Sequence, residues 1–167
     1  SVLPYKVHQF IPQTGNVYLT IGEQANRQIT VKEKLYCDEL SHGDTKIMYY
    51  PVVFSRLSGH EFYVIKINGS QILPRNFDGY ATGDGDSDIN DGYIILPYTG
   101  EDINNYILDV NSDDIPSDWY TTNKKGVRKL KKTYESRIPQ KIYVTQSGGY
   151  SPTEPIDGMG YMEAIFV

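Results

Sequence analysis

Cysteine is nearly missing from this sequence of 167 residues, and alanine is scarce. The single cysteine, Cys37, leaves no intramolecular disulfide, and there is no CxxC or Cys/His pattern of the zinc-binding kind. Only Ala25, Ala81 and Ala164 supply the residue that helices favour most, which argues against a helix bundle and against an ordinary α/β metabolic enzyme. No apolar run reaches the roughly 18 residues of a membrane-spanning helix, so no membrane insertion is expected. Catalytic signatures are missing too. His8, His42 and His60 stand apart in sequence, and neither GxSxG, HExxH nor a glycine-rich phosphate loop occurs. Cys37 with His42 or His60 would make a thiol–imidazole pair, but one cysteine in a strand-like setting reads better as a small core hydrophobe. Carboxylates are too many to single out a glycosidase pair. The chain is read as non-enzymatic.

Positive charge is absent from a long stretch. Between Arg75 and Lys124 there is no Lys or Arg, while Asp78 to Asp118 contribute eleven carboxylates. Seven cations then follow from Lys124 to Arg137, against Glu135 alone. The formal net charge of −5 therefore hides an acidic belt beside a basic ribbon. A negative total gives no general reason to expect nucleic acid as a partner. The ribbon resembles a phosphate- or heparin-binding segment, and a sulfated or sialylated glycan fits it better than nucleic acid on an extracellular surface. The belt also offers the ribbon a partner within the same molecule.

What the chain has in abundance is tyrosine and glycine, 15 of each. Tyr, Val, Ile and Thr suit a pleated, half-buried surface, and Gly, Pro, Asn and Asp clusters separate the apolar stretches. Alternation predicts strands over 16–21, with Val17, Leu19 and Ile21 inward, and over 27–36, with Ile29, Val31 and Leu35 inward. Further strands are expected over 46–57 (interrupted or edged at Pro51), 61–67, 71–73, 92–98, 104–110, 140–146 and 159–167. Asn68-Gly69 marks a hairpin. As a glycosylation sequon, Asn68-Gly69-Ser70 reads better as turn chemistry. Residues 123–135 read as a helix or as a long charged hairpin. No repeat or linker is visible. The expectation is one all-β domain over 1–167, an antiparallel β-sandwich.

Two stretches carry candidate site residues. Asp84, Asp86, Asp88, Asn90 and Asp91 alternate acid and amide as an oxygen-ligand Ca2+ loop does, although Ile89 and Ile95 stand where an EF-hand needs Gly and Glu. The plainer reading is a solvated loop of turn residues, with no cofactor. Asp118, Trp119 and Tyr120 hold the only tryptophan and combine an aromatic face with a carboxylate, the general form of a sugar contact. The plainer reading there is a tryptophan capping the core edge.

The order of strands resembles a chaperone–usher fimbrial subunit, more specifically the lectin domain of a tip adhesin. The resemblance rests on Gly15–Ile21, Gln28–Asp38, Phe62–Pro74, Pro139–Thr145 and Gly160–Val167. It implies an immunoglobulin-like sandwich, exported to a surface appendage or secreted. Starting at Ser1 without a charged-then-apolar leader suits a processed export product or an excised domain. In mannose-binding members the pocket uses the mature N-terminus and residues just after the matching cysteine, which here are Ser1, Asp38 and Glu39. Asp38 is carried forward as a carbohydrate contact. The late loop of that pocket finds no match, so a mannose pocket is not carried over, and the disulfide partner of Cys37 and a counterpart of 76–123 are also missing. Ordinary subunits of the class accept a strand from a neighbour, and Val2, Leu3, Tyr5, Val7 and Phe10 alternate as such a donor would.

The function expected is non-enzymatic adhesion to a cell-surface glycan or glycoprotein. The alternatives are a structural subunit of a fimbria or of a viral or phage particle, and a polysaccharide hydrolase.

Overall fold

The computed structural model describes residues 17–54, 59–75, 89–106, 116–135 and 138–167. The expected donor residues of the N-terminus, and Ser1, lie outside these. The described strands are β1 (Val17–Thr20), β2 (Ile29–Thr30), β3 (Tyr49–Phe54), β4 (Glu61–Asn68), β5 (Gln71–Pro74), β6 (Ile89–Ile95), β7 (Tyr120–Thr122), β8 (Arg128–Leu130), β9 (Gln140–Thr145), β10 (Tyr150–Ser151) and β11 (Tyr161–Phe166). One short helix, α1 (Lys132–Glu135), follows β8. The fold is all-β and antiparallel, sandwich-like, as the composition implied.

Nine strands share one sheet in the order β10-β9-β11-β6-β4-β3-β1-β2, with β5 on β4. β4 organises it. One edge of β4 pairs with β6 along Tyr63 to Asn68, and the other is divided between β3 (at Glu61 to Tyr63) and β5 (at Ile65 to Asn68). The sheet then curls back. Ile72 donates its N–H to Gly148 O (2.7 Å), and Tyr150 donates to Ser70 O (2.8 Å). The path from β4 through β6, β11 and β9 thereby returns to β4 through β5. The hairpin loop is Gly69-Ser70 rather than Asn68-Gly69: Asn68 still pairs with Gln71, and Gly69 at φ 58° takes the first loop position, as a type II′ turn demands.

The concave face encloses the main core, including Leu19, Tyr50, Val52, Tyr63, Ile65, Ile72, Ile94, Ile142, Val144 and Ala164. Each fully buried Val, Leu or Ile contributes about 1.5–3 kcal/mol of hydrophobic stabilisation. The opposite face is covered as well. The 3-10 turn Ile103–Tyr106 packs Ile103 and Tyr106 with Val53, Phe62, Val64, Ile95 and Ile165. Cys37, Ile47 and Tyr49 pack with Tyr18. Burial on both faces explains why β4 reads as a nearly unbroken apolar run.

Several expectations change. Tyr18 and Thr20 were expected outward on β1 but are buried. The fully buried Thr20 is satisfied by accepting the Gln28 N–H at its hydroxyl (2.9 Å) and the Tyr63 hydroxyl at its carbonyl (2.9 Å). The strand expected over 27–36 is only Ile29–Thr30, at the sheet edge. The Thr30 hydroxyl accepts the Lys32 N–H (3.1 Å), a local turn that competes with the ladder. Ile29, Val31 and Leu35, expected inward, are 66%, 75% and 50% exposed. The strand expected over 104–110 begins as the 3-10 turn, because the Asp102 side chain accepts the Asn104 N–H (2.9 Å). Residues 107–110 lie outside the described residues. Pro51 neither interrupts nor edges β3: it pairs with Tyr18 of β1, while the β3–β4 ladder starts only at Val52.

Candidate functional site

Residues 116–135 build a unit unlike the rest of the chain. β7 and β8 form their own two-stranded sheet, pairing Tyr120 with Leu130, Thr121 with Lys129 and Thr122 with Arg128. The turn is made by Asn123, whose side-chain oxygen accepts the N–H groups of Lys125 and Val127 (2.9 Å each). Gly126 closes it at φ 80°, donating to Asn123 O. Both readings of 123–135 therefore apply in part: a charged hairpin first, then the single turn α1.

The hairpin carries an aromatic pair. The Trp119 and Tyr134 rings stack at 4.9 Å with only 9° between their planes. Both are half-buried, and neither belongs to a buried core cluster. On the β7–β8 face made by Tyr120, Thr122, Arg128 and Leu130, the Arg128 guanidinium lies 4.3 Å from the Tyr120 ring centroid, a cation–π contact. Lys131 donates its ammonium to Asp118 O (2.7 Å). Lys124, Lys125, Lys129 and Lys132 are exposed. The structure therefore brings Asp118, Trp119 and Tyr120 into one unit with the cations and adds Tyr134. Only the stack itself was illegible in the sequence, although the spacing of two aromatics around a lysine-rich segment was visible.

The other candidates stand elsewhere. Asp38 is exposed and bonded to Lys34 (2.8 Å), which holds its carboxyl below the usual carboxylate range. Cys37 is completely buried, as a core hydrophobe would be, with its thiol directed to Glu39 Oε2 (3.4 Å). Asp84, Asp86 and Asp88 lie outside the described residues. Asn90 and Asp91 are consecutive ladder residues of β6, opposite Ile67 and Lys66, so their side chains leave opposite faces of the sheet. Among the described residues no group of three or more His, Cys, Asp or Glu is placed to hold a metal ion. Nor, among them, is any helix long and apolar enough to cross a membrane.

A second polar cluster, not expected from the sequence, ties the segment after β6 to the start of β4. The Tyr106 hydroxyl donates to Glu101 Oε2 (2.5 Å) and lies 2.7 Å from His60 Nε2. Tyr98 stacks on His60 at 4.7 Å, donates its hydroxyl to Glu61 (3.0 Å) and its N–H to Glu101 (2.9 Å). Burial raises the Glu101 carboxyl, but the hydrogen bonds from Tyr106 and Tyr98, with the nearby His60, outweigh it and leave the group below its ordinary value. Burial, then the Glu61 carboxylate, pushes the Tyr98 phenol up to about 12. The arrangement is a clamp: it fastens the covering segment through hydrogen bonds that a charged Glu101 accepts.

No family model, curated protein or solved structure matches this chain. The functional reading therefore rests on the geometry of these two clusters, and the hairpin is the one that presents its groups outward.

Proposed function

We propose that the chain is a non-enzymatic, extracellular adhesion module of the fimbrial-adhesin kind, and that the β7–β8 hairpin contacts a cell-surface carbohydrate. The observation that carries the reading is the parallel Trp119–Tyr134 stack, held outside the buried core and flanked by polar side chains. An aromatic surface accepts the C–H face of a sugar ring, while the exposed Asp118 beside it supplies a carboxylate for its hydroxyls. Stacking Trp119 on Tyr134 fixes the indole before the ligand arrives, which lowers the ordering cost of binding.

A glycan array probed with the whole chain and with Trp119→Ala tests the site. Loss of the aromatic face is expected to weaken the bound glycan about two- to tenfold, since such contacts carry about 0.5–1.5 kcal/mol. Thermal unfolding of the variant shows whether the fold survives. Binding unchanged in a folded Trp119→Ala protein, or no glycan bound by the parent, would sink the assignment.

A further inference from the structure

We infer that the hairpin selects a sulfated polysaccharide, an inference that rests on the carbohydrate reading above and narrows it to one class. Lys124, Lys125, Lys129 and Lys132 extend from the turn, the open face of β8 and the start of α1, and all four are exposed. Among the described residues none of them forms an ion pair, in contrast to Lys34 and Lys141, which are paired with Asp38 and Glu163. Four exposed ammonium groups on the hairpin and the start of α1, none of them ion-paired among the described residues, make a site for a ligand that brings its own anions. Lys129 pairs across the ladder with Thr121, so an ammonium and a hydroxyl share one face. Sulfate and sugar hydroxyl groups together match that pair.

The same features disfavour nucleic acid. The one arginine of the described hairpin, Arg128, is drawn over Tyr120, whereas base edges and phosphates are read best by the planar guanidinium fork. β7 and β8 are three residues each, about 10 Å at 3.4 Å per residue, and span few phosphates. The surrounding chain is net negative, which repels a long, densely charged duplex.

Surface-immobilised heparin, fully desulfated heparin and a single-stranded oligonucleotide are the probes, with the whole chain in solution. Binding to heparin is expected, and desulfation should abolish it. Affinity should fall on the order of a hundredfold between about 50 and about 200 mM salt, as release of about four counterions requires. The combined Lys124→Gln, Lys125→Gln, Lys129→Gln and Lys132→Gln variant should lose heparin binding while keeping the parent's thermal midpoint, because these side chains are exposed and form no ion pair among the described residues. Heparin binding unaffected by the four substitutions overturns the inference, and so does an oligonucleotide bound more tightly than heparin at equal salt. A neutral glycan bound through Trp119, with the four lysines immaterial, overturns it while leaving the carbohydrate reading intact. Heparin binding lost with the lysines but untouched by Trp119→Ala supports the anionic site and fails the aromatic one.

Discussion

β4 and the β7–β8 hairpin are both antiparallel strand structures, yet they are held by opposite means. β4 has neighbours on both edges and covers on both faces, so Phe62, Tyr63, Val64 and Ile65 are all buried. The hairpin has one partner per strand and no residue buried. Its order comes from the Asn123 turn, the Arg128–Tyr120 contact and the Trp119–Tyr134 stack. The difference teaches that hydrophobic burial holds the body of the protein, while local polar and aromatic contacts shape the hairpin proposed to meet a ligand. A region held by local contacts can change its side chains without cost to the core.

The contrast is most sharply tested at Ile65, which is fully buried in the main core on the concave face. Ile65→Ala is expected to cost about 2–5 kcal/mol in guanidinium unfolding, since a closely packed core site cannot collapse around the lost volume. A cost under about 1 kcal/mol would mean that β4 is not the centre of the core.

The clamp lies between the two extremes, and its effect depends on pH. Glu101 has a folded pKa below its ordinary 4.5, so folding favours its charged form. That contribution is present above the ordinary value and disappears as the pH falls through the depressed folded one. Glu101→Gln is expected to lower stability by about 1 kcal/mol near neutrality. Its urea midpoints should then converge on those of the parent as the pH falls below that of the folded carboxyl. Parallel midpoint curves across the acid range would show that Glu101 does not gain from folding.

The smallest effect is expected at Asn123. Asn123→Ala removes the acceptor of two turn amides, so hydrogen exchange at Lys125 and Val127 should accelerate, while global stability moves within about 0.5 kcal/mol. A loss comparable to that at Ile65 would erase the distinction between body and hairpin.

The strands with the densest apolar patterns were legible in advance: β1, β3, β4, β9 and β11 fall where alternation or apolar runs place them, while β6 runs over Ile89–Ile95 rather than the expected 92–98, starting inside the acidic stretch and ending before Leu96. The edge was not. Residues 27–36 alternate as well as β1 does, but alternation reports which side chains could share a face, not whether a neighbouring sheet exists to cover it. Ile29, Val31 and Leu35 are exposed where the sheet ends: β2, the last strand in the order, covers only Ile29–Thr30, and Val31 and Leu35 lie beyond it. At Asn104–Tyr106 a strand-like composition gave way to a side-chain turn from Asp102, a contact between neighbours that periodicity does not register. Of the candidate site, Asp118, Trp119 and Tyr120 were singled out from one tryptophan beside a carboxylate. Tyr134 was not, because nothing in a linear pattern says that α1 folds it onto the indole.

The near-absence of cysteine and alanine, with 15 tyrosines, pointed by itself to an all-β protein without an intramolecular disulfide. Local chemistry also marked a turn at Gly69 and the change from acidic to basic charge. Tertiary structure alone decided that β4 is covered on both faces, that β5 closes the sheet onto the β9–β10 turn, and that His60, Glu101 and Tyr106 meet. The reason is physical. Composition and periodicity record what each residue can do with its neighbours along the chain, whereas burial, closure and clamping depend on contacts between residues far apart in sequence, such as Tyr150 and Ser70, 80 positions apart.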